Sequence, residues 1–407
     1  MFKYAMIALV LISASLPAQA EEAKTEPMVG HHKLGQLEEK LRQHPEIAAY
    51  ANRVEASGSY AKGELGLPDP MIFFEQDDYS TKSVFSSGDS MVGFKQEIPR
   101  LGLREARSEK IVAESRKNRL LQDYAFATMR AKMIESLAKK QKIKELRSIL
   151  KEQEKLLRTQ RDSLKGSIAA NRAGFSTVSM TEADLSEIGI MLAELDEEQH
   201  EVEAMLMNML NSVPDMALPA IEMAAWDSDP TKTYPVVISG SDITMAQKEV
   251  EIREAEYGPN FEIQASAGRF HDSGENGGSL MLGISIPLWA SENQKPKLKG
   301  AKASLSAAEF DRDAIKREII QKLDHLKAQI DTSAKKIKLF EQKETLLKAA
   351  TNATSREYEA GKADFAMILK TRREAFSVRA QAATERAKHI ALVADFNRYI
   401  VQGERHE

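Results

Sequence analysis

The chain has 407 residues, of which 29% are charged and 6% aromatic, with a formal net charge of −4 and no cysteine. The mild negative charge gives no electrostatic basis for binding nucleic acid, and the absence of cysteine excludes disulfides as a source of stability. High charge with few aromatic residues favours long, two-faced helices over one bulky globular core. Beyond the N-terminus no apolar run reaches 18 residues, so the sequence predicts no transmembrane helix.

Residues 1–20 have the three parts of a secretory signal peptide. Lys3 supplies the positive charge, an almost entirely apolar stretch follows, and Ala18-Gln19-Ala20 forms a cleavage site of small residues. We expect cleavage after Ala20 and an exported chain that opens with a flexible leader, residues 21–43. This mature N-terminus lacks the cysteine that a bacterial lipid anchor needs.

Four pairs of turn-forming residues recur along the chain at separations of 190, 189, 188 and 187 residues. We interpret residues 44–212 and 235–402 as two copies of one unit. Residues 213–234 contain three prolines and predict a linker, and residues 403–407 form a C-terminal tail. The four pairs are His44-Pro45 with Tyr234-Pro235, Pro70 with Pro259, Pro99 with Pro287, and Gly174 with Gly361.

Each copy opens with a short predicted helix, residues 44–66 and 241–256, and continues with two candidate strands. In the second copy apolar residues alternate with polar ones, the period of a strand with one apolar face. We expect the polar residues to face the lumen of a channel and the apolar ones to face lipid. The polar residues are Glu262, Gln264 and Ser266, and the apolar residues include Phe261 and Ile263.

Strands of about ten residues with one apolar and one polar face are typical of a membrane barrel. A small soluble sheet packed on a helix fits the strand pattern equally well, but the signal peptide and the repeat favour the barrel. Four strands cannot close a barrel, since the smallest examples have about eight. If these strands span a membrane, the chain must therefore oligomerise, because an open edge there leaves backbone groups unpaired. Three chains would give twelve strands.

Residues 103–165 and 301–360 contain neither Gly nor Pro and predict two helices that are roughly 95 and 90 Å long. Stretches 175–212 and 362–402 follow after short breaks, so each long helix is expected to form an antiparallel hairpin with the next one. Apolar residues at heptad spacing predict coiled-coil packing along these hairpins. In the first copy they are Ile143, Leu150, Leu157 and Leu164, and in the second Leu323, Ile330 and Ile337.

Four segments together resemble the TolC-type outer-membrane efflux channel family: Leu67–Pro70 (LPDP), Phe94–Gly102 (FKQEIPRLG), Gly283–Trp289 (GISIPLW) and Tyr358–Gly361 (YEAG). The resemblance extends from about residue 37 to 402, and the first two segments look most like the branch that works with heavy-metal exporters of the resistance-nodulation-division class. The chain is short for the family.

This resemblance implies a mainly α fold with a small β part, assembled as a homotrimer. A twelve-stranded β-barrel in the outer membrane of a Gram-negative bacterium would continue as a helical barrel, so that most of the chain lies in the periplasm. The trimer would contact outer-membrane lipid and dock to a periplasmic adaptor, or membrane fusion protein. The adaptor would in turn connect it to an inner-membrane pump of the resistance-nodulation-division class.

The two hairpin tips are the strongest functional candidates, and glycine allows the chain to reverse there. The resemblance implies that the tips also meet the adaptor, and that acidic residues just beyond each glycine form a periplasmic gate. The tip residues are Gly174, Phe175 and Ser176 in the first copy and Gly361, Lys362 and Ala363 in the second. The gate candidates are Glu182, Asp184 and Asp364.

The chain contains no recognised catalytic motif, so the sequence predicts neither an enzyme nor a bound cofactor. His31-His32 has no evident converging partners for a metal. Five methionines could suit a soft metal, although adaptable packing at the end of a helix explains them better. These methionines are Met205, Met207, Met209, Met216 and Met223.

Two functions fit these features. One is a passive outer-membrane exit duct of a tripartite efflux system, whose direction is set by the pump and whose candidate cargo includes metal cations. The other is a soluble periplasmic coiled-coil adaptor or scaffold protein. An adaptor normally has one hairpin flanked by compact β-domains, whereas this sequence alternates two hairpins with two strand pairs, which favours the duct.

Overall fold

The computed structural model describes residues 25–77, 88–169, 175–269, 274–362 and 365–401. The signal peptide and most of each strand-to-strand connection lie outside these ranges. The helices are α1 (Thr25–Arg42), α2 (Pro45–Glu64), α3 (Leu103–Ala169), α4 (Phe175–Leu210), α5 (Tyr234–Ala255), α6 (Gln294–Glu359) and α7 (Phe365–Asn397). The strands are β1 (Met71–Asp77), β2 (Asp89–Ile98), β3 (Asn260–Arg269) and β4 (Asn276–Ser285).

The described chain is mainly helical with one small sheet, as the sequence predicts. Its order of elements is helix, two strands and two helices from α2 to α4, and the same order runs from α5 to α7. Both predicted long helices form, with 67 residues in α3 and 66 in α6, so each is roughly 100 Å long.

The helices extend beyond their predicted bounds at positions where glycine or proline predicts a helix end. Helix α6 begins at Gln294 instead of residue 301, since Pro296 occupies the first turn, where no intrahelical N–H bond is required. Helix α3 likewise continues through Gly166 to Ala169. In α5 the helix starts at Tyr234, seven residues earlier than expected, with proline again in its first turn.

The prediction of a flexible leader was wrong for most of its length, because residues 25–42 form α1. Leu34, Leu37 and Leu41 are buried in the same apolar cluster as Met133 of α3. Glu38 accepts a hydrogen bond from Arg130 of α3 at 2.5 Å. The spacing of the three leucines, at i, i+3 and i+7, is the pattern of a helix with one buried face.

Helix α3 lies at the centre of the helical part. It packs against α2 and α4, which follow one another along its length, and against α5 and α7. Helix α6 packs against the same α5 and α7. Heptad residues of both long helices are buried at these contacts, as the coiled-coil pattern predicts. Those below one-tenth exposure are Ile143, Leu157, Leu323 and Ile330.

The linker between α4 and α5 connects two apolar clusters. Val213 and Leu218 pack against the first cluster, whereas Trp226 packs against the second. Asn397 of α7 holds the linker backbone in between: its amide nitrogen donates to the Glu222 carbonyl at 2.8 Å, and its Oδ1 accepts from the Ala224 N–H at 2.8 Å. The linker is therefore an ordered strap across the helices.

The four strands form one antiparallel sheet in the order β1-β2-β3-β4. Strands β2 and β3, which are far apart in the sequence, pair over nine residues, with Gly93 opposite Ser266 and Lys95 opposite Gln264. This central pairing joins the two strand pairs into a single sheet, and leaves β1 and β4 at its edges.

Candidate functional site

One face of the sheet carries most of its polar and charged side chains. Because opposite residues of an antiparallel pair share a face, the register places Glu262, Gln264 and Ser266 together, as the sequence predicts. The Glu262 carboxylate forms an ion pair with Lys95 of β2 at 2.9 Å. The Ser266 hydroxyl forms a hydrogen bond with that of Ser279 on β4 at 2.8 Å. These contacts link β2, β3 and β4 through hydrophilic groups.

The other face of the sheet is apolar and exposed. Ile72 of β1 is 78% exposed and Leu282 of β4 is 71% exposed, although both belong to residue types that a soluble protein normally buries. The same face carries further exposed large apolar residues on β1, β2 and β4, so the patch reaches both edges of the sheet. Its further exposed members are Phe74, Val92, Phe94, Leu280 and Ile284.

Both edges of the sheet are open. Among the described residues β1 pairs with β2 only, and β4 with β3 only. An edge strand presents a row of backbone N–H and C=O groups that can pair with another chain. The sheet therefore has both an uncovered apolar face and two strands that are able to accept neighbours.

The second hairpin tip is a defined reversal. Helix α6 ends at Glu359, and Gly361, two residues later, has φ +73°. The Gly361 N–H donates to the Tyr358 carbonyl at 2.9 Å, and the Lys362 N–H donates to the Glu357 carbonyl at 2.7 Å. This pair of bonds is the Schellman arrangement that favours glycine. A side chain at Gly361 would meet no atom within 4 Å, so the tip is open to approach by another molecule.

The first tip is only partly described. Gly174 lies outside the described residues, and Phe175 begins α4. Ser176 is exposed on the first turn of that helix. Of the second tip, Lys362 is exposed and Ala363 lies outside the described residues.

The two gate candidates on α4 both have basic partners. Glu182 forms an ion pair with Lys165 of α3 at 3.0 Å, within its own hairpin. Asp184 pairs with Arg373 of α7, which belongs to the other hairpin. The third candidate, Asp364, lies outside the described residues. No local sequence pattern identifies Arg373 as the partner of Asp184, because the two residues lie on different hairpins.

Asp184 belongs to a line of ion pairs between the two hairpins. Further along α7, Arg379 reaches Glu152 of α3 at 2.7 Å, and Arg386 reaches Glu145 at 2.8 Å. The seven-residue spacing of Arg379 and Arg386 keeps these two arginines on one side of α7. Beside the line lies a groove of about 680 Å³, lined by α3, α4 and α7 and by Phe340 of α6.

The methionines do not converge on one site. Met209 and Met216 pack against the first apolar cluster, and Met223 packs against the second. Met205 and Met207 are exposed. Across the described ranges there is no group of three or more His, Asp or Glu residues arranged to hold a metal ion.

None of the helices in the described part of the chain contains a segment that is both long and apolar enough to cross a lipid bilayer.

Comparison with known proteins identifies related sequences and folds. Residues 242–394 match the model of a family described as outer membrane efflux protein. None of the curated proteins matches the sequence. Among solved structures, the outer membrane protein VceC of Vibrio cholerae is 15% identical, with a TM-score of 0.70 over 90% of this chain and 95% of VceC.

Two further structures have the same fold. The CmeC outer membrane channel of Campylobacter jejuni is 9% identical, with a TM-score of 0.74 over 98% of this chain and 95% of CmeC. The MtrE outer membrane channel of Neisseria gonorrhoeae, in its open state, is 15% identical, with a TM-score of 0.73 over 90% of this chain and 88% of MtrE. The second half of the chain thus matches the outer membrane efflux protein family in sequence, and the chain as a whole has the fold of the TolC-type outer membrane channels.

Proposed function

We propose that this protein is the outer-membrane exit duct of a tripartite efflux system. It acts as a homotrimer whose twelve-stranded β-barrel continues into a helical barrel in the periplasm. The duct is passive and catalyses no reaction. The inner-membrane pump drives transport, and a periplasmic adaptor connects that pump to the trimer.

The four-stranded sheet carries this proposal. Its apolar face is exposed at both edge strands, as Ile72 and Leu282 illustrate, and both edges can accept another strand. Lipid would cover the apolar face, while pairing of β4 with β1 of the next chain would close the ring. Glu262, Gln264 and Ser266 would then face the water-filled lumen.

The helices would form the periplasmic tube. We infer that residues 44–212 and 235–402 are two copies of one unit, joined by the linker of residues 213–234. Each copy then contributes one strand pair and one hairpin to a wall that repeats six times around the trimer. With a length of roughly 100 Å each, α3 and α6 can reach from the membrane deep into the periplasm.

The hairpin tips are the proposed docking sites for the adaptor. Gly361 and Lys362 leave a low, open surface at the second tip, and Gly174, Phe175, Ser176 and Ala363 would complete it. Near this end, Glu182, Asp184 and Asp364 are the proposed gate. The ion pair of Asp184 with Arg373 would then be one of the contacts that hold the hairpins together.

Metal cations are the first cargo to test, because the LPDP and FKQEIPRLG segments resemble the branch that works with heavy-metal exporters. A passive duct needs no tight cargo site, so its cargo follows from the pump. A soluble adaptor or scaffold is less consistent with the structure, since it would leave the apolar face of the sheet exposed to water.

Membrane fractionation of the native host tests the location on which this function depends. The protein should sediment with the outer membrane, and N-terminal sequencing should begin at Glu21, after removal of residues 1–20. A water-soluble protein in the periplasmic fraction would support the adaptor instead. Loss of resistance to cargo in a deletion strain, restored by the intact gene, should accompany the outer-membrane location.

A further inference from the structure

The turn between β4 and α6 presents large apolar side chains to solvent. Leu288 is 74% exposed and Trp289 is 69% exposed. The turn itself is ordered: the Leu288 N–H donates to the Ile286 carbonyl at 2.9 Å, and the Lys295 N–H donates to the Ala290 carbonyl at 2.8 Å. The exposure of these side chains is therefore a property of a fixed backbone.

These side chains extend the apolar face of the sheet toward the helices. Leu282 and Ile284 of β4 are exposed on that face, and Ile286, two residues further along, is 64% exposed. Ile286 is the first residue after β4, so its exposed side chain adds to the apolar surface at the end of that strand. Trp289 lies beyond this end, where the sheet gives way to helix.

A group of lysines follows directly. Lys295, Lys297 and Lys299 are exposed at the start of α6, and no carboxylate in the described part of the chain forms an ion pair with any of them. The next lysine, Lys302, does have a partner, Glu254 at 3.2 Å. Segment 289–299 carries three lysines and one glutamate, so its surface is positive.

The electrostatic environment that the chain itself provides for these lysines is unfavourable. The first turn of a helix has a positive electrostatic potential, which disfavours cations, and α6 has no acidic residue there to compensate. At the corresponding turn between β2 and α3, the basic side chains form hydrogen bonds within the chain. Arg100 donates to the Gly258 carbonyl at 3.0 Å, and Arg104 donates to the Leu65 carbonyl at 2.8 Å. The ammonium groups of the α6 lysines would instead need an anion from outside the chain as their partner.

We propose that this surface, residues 286–299, binds the headgroups of anionic glycerophospholipids at the periplasmic side of the membrane. The indole of Trp289 lies at the headgroup level, with Ile286 and Leu288 in the acyl boundary. The ammonium groups of the lysines contact lipid phosphates from the water side. This inference rests on the proposed outer-membrane location.

Quenching of Trp289 fluorescence by brominated lipids tests the proposal. The chain has two tryptophans, and a Trp226→Phe variant leaves Trp289 as the only reporter. The protein is reconstituted in mixed bilayers that contain the same fraction of either brominated phosphatidylglycerol or brominated phosphatidylcholine. We expect the anionic lipid to associate with Trp289 several-fold more strongly.

The lysines can be tested against a matched set in the same helix. The triple variant Lys295→Gln, Lys297→Gln, Lys299→Gln should abolish the preference for phosphatidylglycerol. The control variant, with the same loss of charge, replaces three exposed lysines near the middle of α6 and should retain the preference. The control lysines are Lys335, Lys336 and Lys338.

The outcomes separate this inference from the proposed function. Equal quenching by both lipids, or a preference that survives the first triple variant, overturns the inference and leaves the outer-membrane channel intact. Absence of quenching by either lipid also overturns the inference, whereas a protein that fails to sediment with the outer membrane overturns both. If Trp226→Phe lowers the yield of trimer, the quenching can be measured on the unaltered protein. Trp226 donates a hydrogen bond to Asp324, which lies roughly 45 Å along α6 from its start. Trp226 is therefore far from the proposed lipid surface and adds a constant, unquenched fluorescence signal.

Discussion

The ring of Phe73 on β1 lies over Gly93 on β2, and a β-carbon at Gly93 would stand only 2.1 Å from Cζ of that ring. The two residues are cross-strand partners and share the polar face with Ser266. An aromatic ring over a strand glycine covers backbone that has no side chain of its own. Phe73 thus anchors edge strand β1 to the centre of the sheet.

Replacing Gly93 with alanine should destabilise the sheet. The new methyl group must displace the Phe73 ring, and overpacking of this kind costs about 1–3 kcal/mol. Gly283→Ala is the control, because its β-carbon would be in ordinary contact with Glu262 at 3.4 Å. Denaturant unfolding of the reconstituted protein measures both. A loss of stability no larger for Gly93→Ala than for Gly283→Ala would contradict the role of the ring.

The two faces of β4 can be distinguished with neighbouring residues. Leu282 lies on the apolar face, whereas Met281 lies on the polar face opposite Gln264, and both are more than half exposed. Arginine in place of Leu282 should cost about 2–4 kcal/mol if the site is near the middle of the bilayer, while arginine in place of Met281 should be tolerated. Denaturant titration of the trimer in lipid vesicles measures the difference. Equal tolerance would show that the faces are assigned wrongly.

Asn397 should be important for the linker strap. Asn397→Ala leaves the Ala224 N–H and the Glu222 carbonyl without these hydrogen bonds, and the loss of two ordinary hydrogen bonds costs about 1–3 kcal/mol in total. We expect a lower midpoint of thermal unfolding and faster proteolysis within residues 213–229. Asn352→Ala, at an exposed position on α6, should change neither. Unaltered proteolysis in Asn397→Ala would mean that the apolar contacts alone fix the strap.

The docking role of the tip can be tested without straining its backbone. Lys362→Trp adds bulk beside the reversal, whereas Gly361→Asn keeps the side chain small in a residue that tolerates the positive φ observed there. We expect the tryptophan variant to lose resistance to cargo and crosslinking to the adaptor while the trimer level is unchanged. The asparagine variant should retain both. Full crosslinking in Lys362→Trp would show that the tip is an ordinary turn.

The sequence predicts the helices and strands because their periodic patterns are local. The alternation from Phe261 to Ser266 predicts strand β3, which the structure contains, and the heptads identify Ile143 and Leu323 as buried. Glycine and proline misled the prediction only at helix ends, where Pro296 fits the first turn of α6. Proline and glycine break a helix in its interior but are tolerated near its ends, where these errors lie.

Contacts between segments that are far apart in the sequence cannot be predicted from local patterns. The pair Asp184–Arg373 joins residues 189 apart, and nothing in either local pattern identifies the other residue. The hydrogen bonds of Asn397 to the linker are equally non-local. The sequence therefore predicts acidic residues on α4 without their basic partners. It does predict Gly361 at the end of α6, because the requirement for positive φ there is local.

The central claim is that the open sheet closes only by assembly of three chains. Light scattering of the detergent-solubilised protein, corrected for bound detergent, measures this most directly. We expect a particle with about three times the mass of the mature chain, stable on dilution. A protein that stays in solution without detergent and has the mass of one chain would contradict it.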